Sequence, residues 1–220
     1  GENPHQKGLF FGNLNDIFDQ LHGKEISYNN LLDIDAAIAL IDEFDETTCA
    51  ILKHNNACGI ASRSTVRESW DAALACDPVS AFGGVAVTNR EIDTEAATEM
   101  DKIFLEVVMA PSYTAKAVEI LRQKKNRIIL LRKQSEADRV MFRSMLGGVL
   151  WQERDRANES AADMRPVTVR HPSEDEYQDL VFANRIVKHS RSNAIVLARG
   201  KQLCASGIGQ TSRIDALRQA

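Results

Sequence analysis

The densest cluster of chemically capable side chains is Lys53-His54-Asn55-Asn56, directly after the apolar run Cys49-Ala50-Ile51-Leu52. An imidazole titrates near neutrality, so His54 could take a proton from an attacking nucleophile. The adjacent Lys53 supplies positive charge where an oxyanion develops. Asn55 and Asn56 each offer an amide donor and acceptor, suited to fixing a heteroaromatic amide by paired hydrogen bonds. In α/β sheets, polar groups at the carboxyl end of a buried strand face the ligand crevice. The plainer alternative is a strand end meeting solvent, where charged residues need no chemistry.

Two glycine-bearing stretches could bring backbone close to a ligand. The first runs from Asp77 through Pro78, Val79, Ser80, Ala81 and Phe82 to Gly83-Gly84, a turn leading into a strand. Paired glycines permit close approach, and equally serve an ordinary tight turn. The second, Ser206-Gly207-Ile208-Gly209-Gln210-Thr211-Ser212-Arg213, joins a strand to a helix start. Exposed N–H groups there attract anions, and Arg213 adds a guanidinium fork. The GK[ST] ending of a P-loop is missing. The deaminase pattern H-x-E with P-C-x-x-C is also missing, and no cluster has metal-ligand spacing, so no metal is expected. Arg122, Lys124, Lys125, Arg127, Arg132 and Lys133 form a basic stretch. It reads as a solvated helix end and strand flank in preference to a nucleic-acid site.

The elements that must position these groups alternate between strand and helix. Residues 1–13 read as an irregular lead-in. A helix begins at Asn29 or Asn30 as N-cap, with Leu31, Ile34, Ile38 and Ile41 at helical spacing. Thr65 with Glu68 makes a capping box for a helix whose inner face is Val66, Trp70 and Leu74. Strands follow at Val85–Val87, at 106–110 before Pro111, and at 128–131. Helices are expected at 94–102 and 114–125. Residues 154–172 are polar, hold Pro166 and Pro172, and read as a linker. Ser173 and Glu176 open another capping box, for a helix running to about His189. Strands at 194–198 and 202–206 and a terminal helix complete the pattern. The fold class is therefore a layered α/β/α sandwich, with a first unit at 1–153 and a second at 173–220. Lys53-His54-Asn55-Asn56 and Lys188–Asn193 both abut apolar strands, at opposite ends of them. That leaves internal duplication and coincidence open.

A chain of 220 residues with 44% hydrophobic and 26% charged residues has material for a sizeable core. A net charge of -4 does not favour a polyanion-binding role. No apolar run approaches a membrane span, and no signal peptide opens the chain. Neither a nucleic-acid nor a membrane partner is expected. The four cysteines are far apart in sequence and read as reduced thiols, pointing to a cytoplasmic address.

Gly1-Glu2-Asn3-Pro4-His5-Gln6, Ser27-Tyr28-Asn29-Asn30, Lys53–Gly59, Asp77–Gly84, Phe104–Pro111 and Gly207–Arg213 occur in that order. Together they resemble the AICAR transformylase domain of the bifunctional AICAR transformylase/IMP cyclohydrolase family, in its bacterial form, over essentially the whole chain. The resemblance implies transfer of a formyl group from 10-formyltetrahydrofolate, the folate co-substrate, to the 5-amino group of AICAR, giving FAICAR. It implies that His54 takes the amine proton while Lys53 stabilises developing charge or assists the leaving folate nitrogen. Asn193 matches an asparagine close to the reacting groups. Asn30, Gly83, Glu106 and Arg213 match positions lining the nucleotide site, and His5 lies in the Asn-Pro-His motif. The implied fold is a tandem of cytidine-deaminase-like subdomains without zinc, the second incomplete here. A homodimer with sites across the interface is implied as well.

The chain departs from the family pattern at Ala57, which replaces a proline and is expected to loosen the loop behind the Lys53-His54 pair. Both ends read as cut: an Arg-Tyr pair would precede Gly1, and further substrate and folate residues would follow Ala220. The rival expectation is therefore a fragment that folds and binds nucleotide without turnover. Its last helix would lack strands to pack under, leaving apolar surface exposed and lowering stability.

Overall fold

The computed structural model describes residues 1–134 and 139–220. Six strands form one mixed sheet: β1 (Phe18–His22), β2 (Thr48–Lys53), β3 (Asn56–Ser62), β4 (Val85–Thr88), β5 (Val107–Ala110) and β6 (Ile128–Arg132). Their spatial order is β1-β6-β5-β4-β2-β3. The central β4, β5 and β6 are parallel, β1 is antiparallel to β6, and β2 is antiparallel to both β4 and β3.

Alternation along the strands sorts the core into two faces. Ala50, Leu52, Val85, Val87, Val107, Met109, Ile128 and Leu130 pack towards Ile34, Ala37, Leu40 and Ile41 of α1 (Tyr28–Ile41). Cys49, Ile51, Ala86, Val108 and Ile129 pack towards α2 (Val66–Cys76), α3 (Thr94–Met100) and α4 (Ala115–Leu121). Both faces of the parallel centre are covered, which is why its strands read as unbroken apolar runs. The expected α/β layering is present.

Several boundaries differ from expectation for identifiable reasons. Ser27, not Asn29 or Asn30, caps α1, because Asn30 is the N3 residue of a capping box and turns its side chain back onto Ser27. The boxes at Thr65/Glu68 and Ser173/Glu176 form as expected. Helix α4 stops at Leu121, short of Lys125. A turn with Arg127 N–H donating to Lys124 O then carries Arg127 inward. There its guanidinium is fully buried against Asp101 and the carbonyls of Leu121 and Ile103.

Beyond the sheet, β7 (Val140–Met145) and β8 (Gly148–Glu153) form a separate antiparallel hairpin with most side chains exposed. The segment 154–172 is largely irregular, yet it is tied down. Lys188 Nζ donates to Ala157 O, and Asn184 Nδ2 to Glu159 Oε2. Helix α5 (Glu174–Lys188) adds Phe182 and Ile186 to the α1-side core, the Phe182 ring tilted against Phe44 with centroids 5.2 Å apart. Strands β9 (Ile195–Ala198) and β10 (Leu203–Gly207) pair with each other, and α6 (Arg213–Gln219) follows. An isolated bridge, Ala61↔Gln202, joins the start of β10 to β3.

Two glycines permit the closest helix-on-strand approaches. A Cβ on Gly59 in β3 would lie 2.0 Å from Ala73 O of α2, and one on Gly207 in β10 would lie 1.9 Å from Ala216 O of α6.

Candidate functional site

The strand order decides which edge of the sheet carries the candidate residues. Because β2 runs against β4, its carboxyl end lies beside the amino ends of the parallel strands. Lys53 and His54 therefore do not face the crevice at the carboxyl ends of a parallel sheet, as first expected. They sit at the opposite edge, since β2 is the first arm of a hairpin and not part of a parallel crossover unit.

Lys53 pairs with Asn56 across that hairpin, leaving His54 and Asn55 as its two-residue turn. Both are left-handed, at φ 53° and 66°. That is the geometry a tight hairpin turn demands, and glycine or asparagine supplies it most cheaply. For histidine the conformation costs on the order of 1–3 kcal/mol and persists only where neighbours enforce it. They do so here: Asn55 N–H donates to Asp33 Oδ1 at 2.6 Å and Asn56 Nδ2 to His54 O at 2.9 Å. The turn holds the His54 ring out in solvent. Lys53 is half-buried, with Nζ donating to Phe82 O at 2.8 Å.

That carbonyl leads to the next candidate. Gly83 has φ +74° and donates its N–H to Phe104 O at 2.7 Å, beneath the tilted Phe82–Phe104 ring pair. Glu106, two residues further on, donates its N–H to Gly84 O and pairs its carboxylate with Lys24. Asn30 is buried, its side-chain oxygen accepting from Ser27 N–H and Oγ–H. His5 is exposed in the lead-in, which Asn29 Nδ2 anchors through Glu2 O. Lys53, His54, Asn30, Gly83 and Glu106 thus share one edge of the sheet.

Asn193 and Arg213 belong to the later elements. Asn193 exchanges backbone hydrogen bonds with Gln210 and donates Nδ2 to Gln210 O and Thr211 O, so it fastens the glycine loop. Arg213 is the first residue of α6, exposed, behind the N-cap Ser212.

A cavity of about 520 Å³ opens between the hairpin turn and β10, lined by Lys53, His54, Cys58, Asp77, Ser206 and Ile208 among others. It brings the Lys53-His54 pair together with the start of the glycine loop. Asn30, Gly83, Glu106, Asn193, Arg213 and His5 do not line it. The Ser80 hydroxyl and N–H hold the Asp77 carboxyl below its ordinary range. Burial, helped by the Asp77 charge, pushes the Cys58 thiol up to about 11. Ala57 lies in the β2–β3 ladder opposite Leu52, beside a register shift. A larger groove of about 1110 Å³ between α5 and β9 contains none of the candidates.

Three supporting groups escaped sequence reading: Asp33, Lys24 and the Phe82 carbonyl. Asp33 lies one helical step beyond Asn30, a spacing that places both on one face, but nothing local marks it as the acceptor for Asn55. In the basic stretch, Arg122, Arg127, Arg132 and Lys133 engage Leu21 O, Asp101, Asp42 and Asp19 respectively. Among the described residues no group of three or more His, Cys, Asp or Glu could hold a metal ion, and no helix is long and apolar enough to cross a membrane.

The sequence is 64% identical to the bifunctional purine biosynthesis protein PurH of Bacteroides thetaiotaomicron, over 100% of this chain and 43% of that protein. It is 45% identical to PurH of Caldicellulosiruptor bescii, over 100% of this chain and 45% of that one. To PurH of Rhodospirillum rubrum it is 46% identical, over 100% of this chain and 43% of that one. The chain thus spans less than half the length of these relatives. The family model described as AICARFT/IMPCHase bienzyme matches residues 1–220, and the chain belongs to that family.

Proposed function

We propose that this chain forms part of the transformylase half of a bifunctional purine-biosynthesis enzyme, transferring a formyl group from 10-formyltetrahydrofolate to the 5-amino group of AICAR. The observation that carries the reading is the His54-Asn55 turn. A histidine is held in a left-handed conformation by Asp33 and Asn56, at the mouth of a cavity shared with a lysine and a glycine loop. Strain of this kind persists where neighbours enforce it, and it clusters at active sites.

In this reading His54 accepts a proton from the AICAR amine as nitrogen attacks the formyl carbon. Lys53 places its ammonium near the oxyanion that forms. The Phe82 carbonyl takes one of its three donors and aims the others. Asn193 acts by fixing the glycine loop. Asn30, Gly83, Glu106, Arg213 and His5 serve nucleotide binding, with Gly83 and Glu106 behind the lysine. The complete enzyme works as a cytoplasmic homodimer on the two small molecules, AICAR and folate.

Residues 1–153 form a first subdomain, 154–172 a connector and 173–220 the opening of a second, in a tandem of cytidine-deaminase-like units. What supports this is a repeated order: α1-β2-β3-α2 and again α5-β9-β10-α6. In each repeat a glycine of the second strand lies under the backbone of the following helix.

The test is formyl transfer followed as tetrahydrofolate release, by this chain and by a version extended at both ends, each with a His54→Ala control. Turnover that the substitution leaves unchanged would refute the assigned base. A second reading, nucleotide binding without turnover, is favoured by the position of Arg213 outside the cavity. Binding of AICAR by the chain with activity only in the extended version would select it.

A further inference from the structure

The cavity that Lys53 and His54 line also carries three thiols, from Cys58, Cys76 and Cys204, all of them free. Cys76 ends α2 and Cys204 lies in β10, so these two belong to elements brought together only by the docking of β10. That docking has a defined register. Gln202 Nε2 donates to Ala72 O at 2.9 Å, and Gln202 O accepts from Arg199 N–H on the neighbouring strand segment. From Ala72 to Cys76 the helix advances about 6 Å, and from Gln202 to Cys204 the strand advances about 6.6 Å. Both thiols turn back towards that hydrogen bond, Cys76 Sγ–H donating to Ala72 O at 3.3 Å and Cys204 Sγ–H to Gln202 O at 3.8 Å. Burial above all, with a smaller part from the Cys204 charge, raises the Cys76 thiol pKa.

We infer that Cys76 and Cys204 are a redox-reactive pair, a modification site at which a peroxide closes a disulfide across the wall of the Lys53-His54 cavity. Cys204 is the exposed thiol and reacts first. Its sulfur attacks a peroxide oxygen, the O–O bond breaks, and sulfenic acid and one water result. The sulfur of Cys76 then displaces the sulfenic oxygen, which leaves as a second water carrying the Cys76 proton. Overall, two thiols are oxidised to one disulfide and one hydrogen peroxide is reduced to two waters. Burial raises the Cys76 thiol pKa and disfavours its thiolate, so Cys76 is the slower of the two to meet peroxide. Cys58 belongs to β3, outside the α2–β10 seam, and its Sγ–H donates to Ile51 O at 3.3 Å. The bond would fasten β10 to α2 and restrict the cavity.

The experiment treats the purified chain with hydrogen peroxide, alkylates the remaining thiols and maps the digest by mass spectrometry without reduction. A Cys76–Cys204 linked peptide is expected. A rise in melting temperature should accompany it, reversed by dithiothreitol and absent in Cys204→Ser, a replacement at an exposed site that leaves the fold intact. The inference is overturned if Cys204 proceeds to sulfinic acid with Cys76 still alkylatable. A Cys204 disulfide to a second chain, or a link from Cys204 to Cys58, would overturn it as well.

Discussion

Replacing Glu43 by glutamine tests how the later elements are held to the first sheet. Glu43 Oε1 accepts from Lys188 Nζ at 2.9 Å and His189 Nε2 at 2.7 Å, and its side chain is only 10% exposed. Burial by itself would raise the carboxyl pKa, but hydrogen bonds from His189, Lys188 and Asn158 outweigh it and hold the group at about 2 instead of 4.5. A depression of that size corresponds to ~3 kcal/mol of native stability at neutral pH. Glutamine keeps one acceptor oxygen but leaves Lys188 without its counter-charge, so a loss of about 1–3 kcal/mol is expected. The sign follows from a lowered folded-state pKa. The contribution is fully present above pH 4.5, shrinks as the pH falls, and is gone once the pH drops through about 2. Urea unfolding of both proteins, at neutral pH and at steps down through the acid range, should show a gap that closes within that window. Equal stability at neutral pH, or a gap that stays constant into acid, would refute the assignment of this charge as the tie between α5 and the end of α1.

Gly59→Ala would place a Cβ 2.0 Å from Ala73 O, a backbone atom that cannot rotate away, and should cost about 1–3 kcal/mol or more in urea midpoint measurements. Arg127→Ala leaves Asp101 and the carbonyls of Leu121 and Ile103 without their donor, and a loss of about 3–5 kcal/mol in thermal melts is expected. Asp33→Ala frees the Asn55 N–H, so that amide should exchange faster by hydrogen–deuterium measurement, with about 1 kcal/mol lost. In the extended enzyme the same change should lower kcat with little effect on KM for AICAR.

The fold was legible where local chemistry and tertiary packing agree. Capping boxes at Thr65/Glu68 and Ser173/Glu176 start helices in both readings, and apolar runs such as Ile128–Leu131 become buried strands. Strand β1 escaped notice because Phe-Asp-Gln-Leu-His carries polar groups that only an edge position tolerates. Strand β3 was hidden by its small residues, which exist to let α2 approach, and by a turn lacking the usual Asn-Gly signal. The hairpin of β7 and β8 has no sheet to cover it among the described residues, so its pattern carried no burial signal. For the site, residue types were readable but their common edge was not. It depends on β2 running against its neighbours, a fact of topology that no window of sequence contains. The proposed thiol pairing is likewise invisible, since Cys76 and Cys204 lie far apart in sequence and line one cavity only once β10 docks beside α2.

Strand β1 has a consequence for how the chain is made. Its partner is β6, with Phe18 opposite Arg132, so the edge strand pairs with a segment synthesised more than a hundred residues later. At the ~5–20 residues per second of ribosomal elongation, β1 waits on the order of ten seconds before its ladder can exist. Throughout that interval Phe18 lacks its β6 partner, and α1 can rest only on β2, then β4, then β5. The chain must therefore assemble from its middle outwards. Within the six-stranded sheet β1 joins last, and a stall in synthesis before residue 128 would leave a nascent chain with an open sheet edge.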